Sequence, residues 1–273
     1  MNELVAPGTL WLIPTPLGEE ADPLSCLPDA TREIACRLDY FIAENARSAR
    51  AFLKGLPIGR PLQQIEVREL SEHTPEADFD RLLAPITAGR DAGLVSEAGC
   101  PAIADPGAGL IAMAHTLGVT VRPLIGPSSI VLALMASGLV GQRFSFAGYL
   151  PQQAEDRVRA ARELEARSAR NDETIIMIET PYRNQAFADA LIASLAPGTS
   201  LCIASAISLP SESIATRAIQ AWRKAPPQLS KIPTVFLIQA QVARPIAGPR
   251  GRNFGTGYTT PRLSEAAHRP RRS

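Results

Sequence analysis

With 273 residues, 45% of them hydrophobic, and a formal net charge of +1, the chain holds enough apolar material for a sizeable core, which the usual ~100–200 residues per domain divides into two domains. No run approaches the ~18 apolar residues of a membrane span, and the start MNELVAPGTLW has neither the basic nor the apolar segment of a signal peptide, so a soluble, cytoplasmic protein without membrane contact is expected. Cys26, Cys36, Cys100 and Cys202 are dispersed, as are His73, His115 and His268, which argues against a metal site, a redox motif and a disulfide framework.

In chain order, Thr9 to Ile13 reads as a first strand that runs into Pro14-Thr15-Pro16-Leu17-Gly18, where two prolines end the ladder in a rigid turn. Asp29 to Leu38 reads as a helix and Asp39 to Ala43 as a second strand ending in Glu44-Asn45-Ala46-Arg47. A short helix over Ser48 to Leu56 and an extended piece over Gln64 to Leu70 follow. Phe79, Leu82, Leu83 and Ile86 have helical spacing within Pro75 to Gly89.

The stretch from Gly93 to Gly109, GLVSEAGCPAIADPGAG, reads as a buried strand end, a small-residue turn and a helix. The turn is suited to setting backbone amides against a ligand, and Asp105 is expected to cap the helix with Pro106 in its first turn. Strand, turn and helix in this order make ligand pockets at the carboxyl edge of α/β sheets, and they also make plain connections. Val119 to Leu124 is a further strand, leading into Ile125-Gly126-Pro127-Ser128-Ser129. The alternation of strands and helices predicts a mostly parallel α/β sheet for a first domain over residues 1–124.

Pro127 to Ser137 predicts an apolar helix, with Ser128 or Ser129 as its N-cap. Phe144 to Pro151 is a strand, Glu155 to Arg170 a charged helix, and Thr174 to Ile178 a buried strand ending in Glu179-Thr180-Pro181-Tyr182-Arg183. A helix over Gln185 to Leu195 and strands over Leu201 to Ile207, Ser213 to Arg217 and Thr234 to Ala240 complete a second α/β domain, residues 125–240, with a mixed sheet. Residues 241–273 carry Arg244, Arg250, Arg252, Arg262, Arg269, Arg271 and Arg272 against Glu265, a balance of +6 that leaves the body at −5. This Gly/Pro/Arg-rich segment is expected to be a disordered basic tail, either an arm for phosphates or merely solvated.

No dinucleotide fingerprint, phosphate loop or GxSxG elbow is present. What remains is a set of five Pro/Gly/Ser-rich strand ends: Pro14 to Gly18, Glu44 to Arg47, Glu97 to Pro106, Gly126 to Ser129 and Glu179 to Arg183. In their order, PTPLG, LVSEAGCPAIADPG, IGPSS, AGYLP and IETPYR resemble the tetrapyrrole methylase superfamily, and within it the ribosomal RNA small subunit methyltransferase I branch, over roughly residues 8 to 240. The resemblance implies two α/β domains with a cofactor cleft between them, a homodimer, S-adenosyl-L-methionine as methyl donor, and the ribose 2′-hydroxyl of a cytidine in small-subunit rRNA as acceptor. By the same resemblance Pro14, Glu97, Gly99, Pro101, Ile103, Ser128 and Ser129 border the donor.

A ribose hydroxyl needs a base, worth ~10²–10⁴ in rate, and Glu44 and Glu179 are the candidates, with Arg47 and Arg183 holding phosphate or developing charge. An ion pair between Glu44 and Arg47 at i, i+3 is the plain alternative. The chain departs from the branch at Asn45, where an acid is usual, and at Glu97 and Cys100, where the usual motif is Asp-Ala-Gly-Thr-Pro. It also departs at Glu19-Glu20 and at Lys231-Ile232-Pro233. These differences mark a divergent paralogue, and they leave open a small-molecule, tetrapyrrole-like substrate and a donor-binding module with impaired catalysis.

Overall fold

The computed structural model describes residues 6–18 and 20–240; the expected basic tail lies outside them. Two five-stranded sheets make up the body. The first contains β1 (Thr9–Ile13), β2 (Tyr40–Ala43), β3 (Glu66–Glu69), β4 (Ala92–Val95) and β5 (Thr120–Pro123), in the order β3-β2-β4-β1-β5. Every pairing in it is parallel, as the alternation of elements predicts. Parallel sheets must be covered on both faces, and alternate residues of β1 serve the two sides. Leu10 packs with Tyr40, Ile42 and Leu94 beneath α4 (Phe79–Thr87) and α5 (Ala108–Thr116). Trp11 and Ile13 pack with Phe41 and Val95 beneath α2 (Asp29–Arg37) and α3 (Ala46–Lys54). A four-residue helix, α1 (Pro23–Cys26), capped by Asp22, precedes α2.

After α6 (Ser129–Ser137), the second sheet is built from β6 (Phe144–Tyr149), β7 (Thr174–Glu179), β8 (Ser200–Ser205), β9 (Ser213–Ala218) and β10 (Thr234–Gln239), in the order β6-β7-β10-β8-β9. Only β6 and β7 run parallel; the remaining pairings are antiparallel, so the sheet is mixed as expected. One face packs on α7 (Ala154–Asn171), α8 (Asn184–Ser194) and α9 (Ile219–Lys224) through Ala161, Phe187, Leu191 and Trp222. The other face packs on α6 through Ala133, and Leu17 from the loop after β1 joins the same cluster with Ile176 and Val235. Leu17 thereby ties the first sheet's carboxyl edge to the second sheet. A bulge in β6 places Phe146 opposite Ile176 and Gly148 opposite Met177, leaving Ala147 as the extra residue. Among the described residues, no helix is long and apolar enough to cross a membrane.

Candidate functional site

Three of the five strand ends are bound into one structure. The Thr15 N–H donates to the Gly99 carbonyl at 2.9 Å and the Gly99 N–H to the Thr15 carbonyl at 3.1 Å, while the Thr15 hydroxyl donates to the Ser96 carbonyl at 3.3 Å. The Cys100 thiol donates to the Pro127 carbonyl at 3.5 Å, which draws in the loop after β5. Buried Pro14 crosses that loop so closely that a Cβ on Gly126 would lie 2.4 Å from the Pro14 Cβ. Gly99 has φ +76°, and a Cβ there would meet Leu17 at 3.2 Å and the Pro127 carbonyl at 3.7 Å. Only glycine takes this conformation without strain, so the glycine is fixed by both backbone and space.

From Pro101 to Gly107 the chain winds through left-handed conformations at Ala102 (φ 64°), Ala104 (φ 65°) and Gly107 (φ 141°). Alanine in this region is strained, and strained backbone concentrates at ligand-binding sites. The expected cap at Asp105 is not formed: α5 starts at Ala108 with Gly107 as its N-cap and no side-chain capping bond. A Cβ at Gly107 would lie 3.1 Å from the Ala102 Cβ and 3.2 Å from Leu94, so the helix starts where the chain can pass under the loop. Asp105 is left facing acidic neighbours. Burial is the chief cause that lifts its carboxyl to about 6; the Ser96 hydroxyl opposes the rise and Glu97 adds to it. Periodicity assigned Asp105 to a cap, and nothing in its spacing signalled this role.

Glu44 stands beside it at the end of β2. Burial, followed by the charges of Asp105, Glu97 and Glu72, raises the Glu44 carboxyl above its usual range. Among the described residues no ion pair joins Glu44 to Arg47, and Arg47 is exposed on the first turn of α3. Glu97 is exposed and accepts the Ser48 hydroxyl at 3.3 Å. Pro101 is buried in the winding loop and Ile103 is half exposed on it. Ser128 is the N-cap of α6, its hydroxyl accepting the Val131 N–H at 3.5 Å, and Ser129 is the first helical residue.

The second sheet contributes Glu179, whose side chain is fully buried. Its Oε1 accepts the Thr180 N–H at 2.7 Å and the Arg183 guanidinium at 3.0 and 2.6 Å, while Oε2 is buried without a partner. Tyr149, at the end of β6, stands in the field of both halves. Burial raises its hydroxyl, Asp105, Glu179 and Glu44 push it further, and Arg183 opposes them. The loop after β8 closes the approach: a Cβ on Gly18 would lie 2.8 Å from Leu209, and this loop too holds left-handed residues, Ala206 (φ 51°) and Ser208 (φ 66°). The predicted residues Glu44, Glu179 and Arg183 are thus gathered around Tyr149, and Pro14, Gly99 and Ser128 around the first sheet's carboxyl edge; Arg47 joins neither group.

The departures at Asn45, Cys100 and Lys231-Ile232-Pro233 have structural accounts, whereas Glu19 lies outside the described residues. Asn45 caps α3 by accepting the Arg47 N–H at 2.8 Å and the Ser48 N–H at 3.4 Å, a task that Asn and Asp perform equally well. Cys100 supplies a donor, as a Thr would. The carbonyls of Ile232 and Pro233 accept from Asn184 at 2.7 Å and Ala206 at 2.9 Å, and Lys231 lies over the Tyr182 ring at 5.3 Å. A separate cavity of about 480 Å³ runs along edge strand β3, lined by Glu66, Arg68, His73 and Arg81; none of the residues from 14 to 18 or from 97 to 105 borders it.

No protein-family profile matches the chain. It is 35% identical over 176 residues to a ribosomal RNA small subunit methyltransferase I of Halalkalibacterium halodurans, a match covering 64% of this chain and 56% of that protein. It is 33% identical over 177 residues to the protein of the same name from Xylella fastidiosa, covering 65% and 60%. The match thus spans less than two thirds of the length of these relatives. Among solved structures, the methyltransferase CobJ superposes with a TM-score of 0.58 at 17% identity, over 88% of this chain and 97% of that one. A conserved hypothetical protein from Aeropyrum pernix K1 gives 0.59 at 15% identity, over 87% and 86%. The chain therefore has the α/β fold of the methyltransferase CobJ, and its sequence is similar to that of the proteins named ribosomal RNA small subunit methyltransferase I.

Proposed function

We propose that the protein is an S-adenosyl-L-methionine-dependent methyltransferase that modifies a ribose 2′-hydroxyl in small-subunit ribosomal RNA in the cytoplasm. The observation that carries this reading is the meeting of the strained 99–107 loop with carboxylates from both sheets, Glu44 and Asp105 from one and Glu179 from the other, around Tyr149. These residues fit the donor. Gly99 keeps a cradle that a side chain would fill, the loop's small residues permit close approach, and the carboxylates favour a cation over the neutral product that remains after transfer. When bound, the donor supplies a methyl carbon activated by a positively charged sulfonium.

In this reading Pro14, Gly99, Pro101 and Ile103 hold the donor with Ser128 and Ser129, while Glu97 anchors the loop to Ser48. Glu44 accepts the proton of the ribose hydroxyl. Its position at a strand end and its raised proton affinity suit a general base. Glu179 is held by Arg183 through one oxygen and orients that guanidinium toward phosphate, and Arg47 provides a second cation on the exposed rim. We also propose a homodimer formed through the apolar surface of Ile125, Val131 and Met135, which are 77%, 48% and 74% exposed.

Incubation of the purified protein with methyl-labelled donor and small ribosomal subunits lacking the modification tests the reading: label is expected at a ribose of the RNA. Glu44→Gln is expected to lower turnover by ~10²–10⁴ while calorimetry shows the donor still bound. Label confined to a small molecule would replace the RNA reading, and unaltered turnover in Glu44→Gln would remove Glu44 from the mechanism.

A further inference from the structure

Of the three tyrosines among the described residues, Tyr40 is buried, whereas Tyr149 and Tyr182 are 54% and 80% exposed. Both exposed rings belong to the same edge of the second sheet. Tyr149 ends β6 opposite Ile178 of the parallel neighbour β7, and Tyr182 lies three residues past the end of β7. The antiparallel strand β10 starts at that edge, with Thr234 opposite Glu179, so the segment before it delivers Lys231 to the same place. The Lys231 ammonium sits 5.3 Å from the centre of the Tyr182 ring.

Next in the chain, Arg183 makes its bonds to Glu179 through Nε and Nη2 and remains one-third exposed. The result is an aromatic face in water, a cation over the ring and a second cation beside it. That combination suits an unpaired nucleotide, because each base has a π-face for the ring and each phosphate a charge for the cations. An exposed Tyr alone is unremarkable on a protein surface. Here the segments after β7 and before β10 each deliver one member of the pair to the edge where Glu179 and Tyr149 stand.

We propose that Tyr182, with Lys231 over its ring, is a stacking platform that holds an unpaired RNA base next to the nucleotide entering the cleft, and that Lys231 and Arg183 take the flanking phosphates. This rests on the RNA reading given above and extends it. It implies that the RNA presents its target in a single-stranded stretch, since a paired base has no free face to offer.

The test measures binding of a fluorescent single-stranded oligoribonucleotide of about 12 nucleotides by anisotropy, using the full chain. Tyr182→Ala is expected to weaken binding by about 5- to 150-fold, and Tyr182→Phe, which keeps the ring, to retain the native affinity. Lys231→Gln is expected to reduce the slope of log affinity against log salt by about 0.7. Donor binding measured by calorimetry is expected to be the same in all three variants, which separates loss of the platform from loss of the fold. Native affinity in Tyr182→Ala, with the native protein still methylating RNA, would overturn the platform and leave the proposed function standing. Failure of the native protein to bind or methylate any RNA would overturn both.

Discussion

Arg183 grips Glu179 by a single oxygen: two guanidinium nitrogens and the Thr180 N–H converge on Oε1, and Oε2 is buried with no partner. The carboxylate is therefore held in place through one oxygen while keeping an acceptor free. Removing the cation leaves the buried charge uncompensated. Arg183→Ala is expected to cost about 3–5 kcal/mol in chemical denaturation, and adding Glu179→Gln to restore part of that loss. Additive losses in the double variant would mean that the two residues act independently.

Asp105 gives a pH dependence with a defined sign. Its folded value, about 6, lies above that of an unfolded Asp, so its ionised form is disfavoured by folding and the stability it contributes at low pH is lost as pH rises through 6. Asp105→Asn is expected to melt above the native protein at pH 8, with the difference closing toward pH 4. A difference independent of pH would separate Asp105 from the effect.

The same substitution reaches Glu44. Asp105 is the first of the charges that raise the Glu44 carboxyl, and neutralising it lowers the proton affinity of Glu44. In the pH–rate profile, Asp105→Asn is expected to keep turnover and to shift the acid limb to lower pH. Loss of turnover at every pH would instead make Asp105 itself the base.

Two glycines separate backbone strain from crowding. Gly99→Ala, at φ +76°, is expected to cost about 1–2 kcal/mol and to weaken donor binding. Gly126→Ala, whose Cβ would lie 2.4 Å from that of Pro14, is expected to cost about 1–3 kcal/mol by pushing two loops apart. Donor affinity unchanged in both would place the donor elsewhere.

Much of this architecture is legible in the residues. The strands of both sheets were readable because their apolar runs end in Pro, Gly or charged turns, and the helices from α2 to α8 because their apolar spacing persists for two turns or more. Helices α1 and α9, four and six residues long, are too short to show a period. The site was legible as a set of strand ends but not as a set of partners. Glu179 and Arg183 are four apart in sequence and meet through local geometry, whereas Tyr149, Asp105 and Glu44 meet only through the packing of two sheets. Asp105 was hidden by Pro106 and Gly107, which mimic a helix start, while the left-handed alanines that displace that start carry no sequence mark.

The bulge at Ala147 resets which way the last residues of β6 point. Directly paired residues of neighbouring strands share a face, and Phe146 pairs with Ile176 while Tyr149 pairs with Ile178. Ile176 and Ile178 both lie on the side packed against α6 and Leu17. In an unbroken ladder Tyr149 would pair with Glu179 and turn to the opposite side, beneath α7 and α8. One surplus residue thus acts as a half-step in the pleat: were Ala147 drawn into the ladder in place of Gly148, the phenol would turn out of the cleft without a change in any residue that lines it.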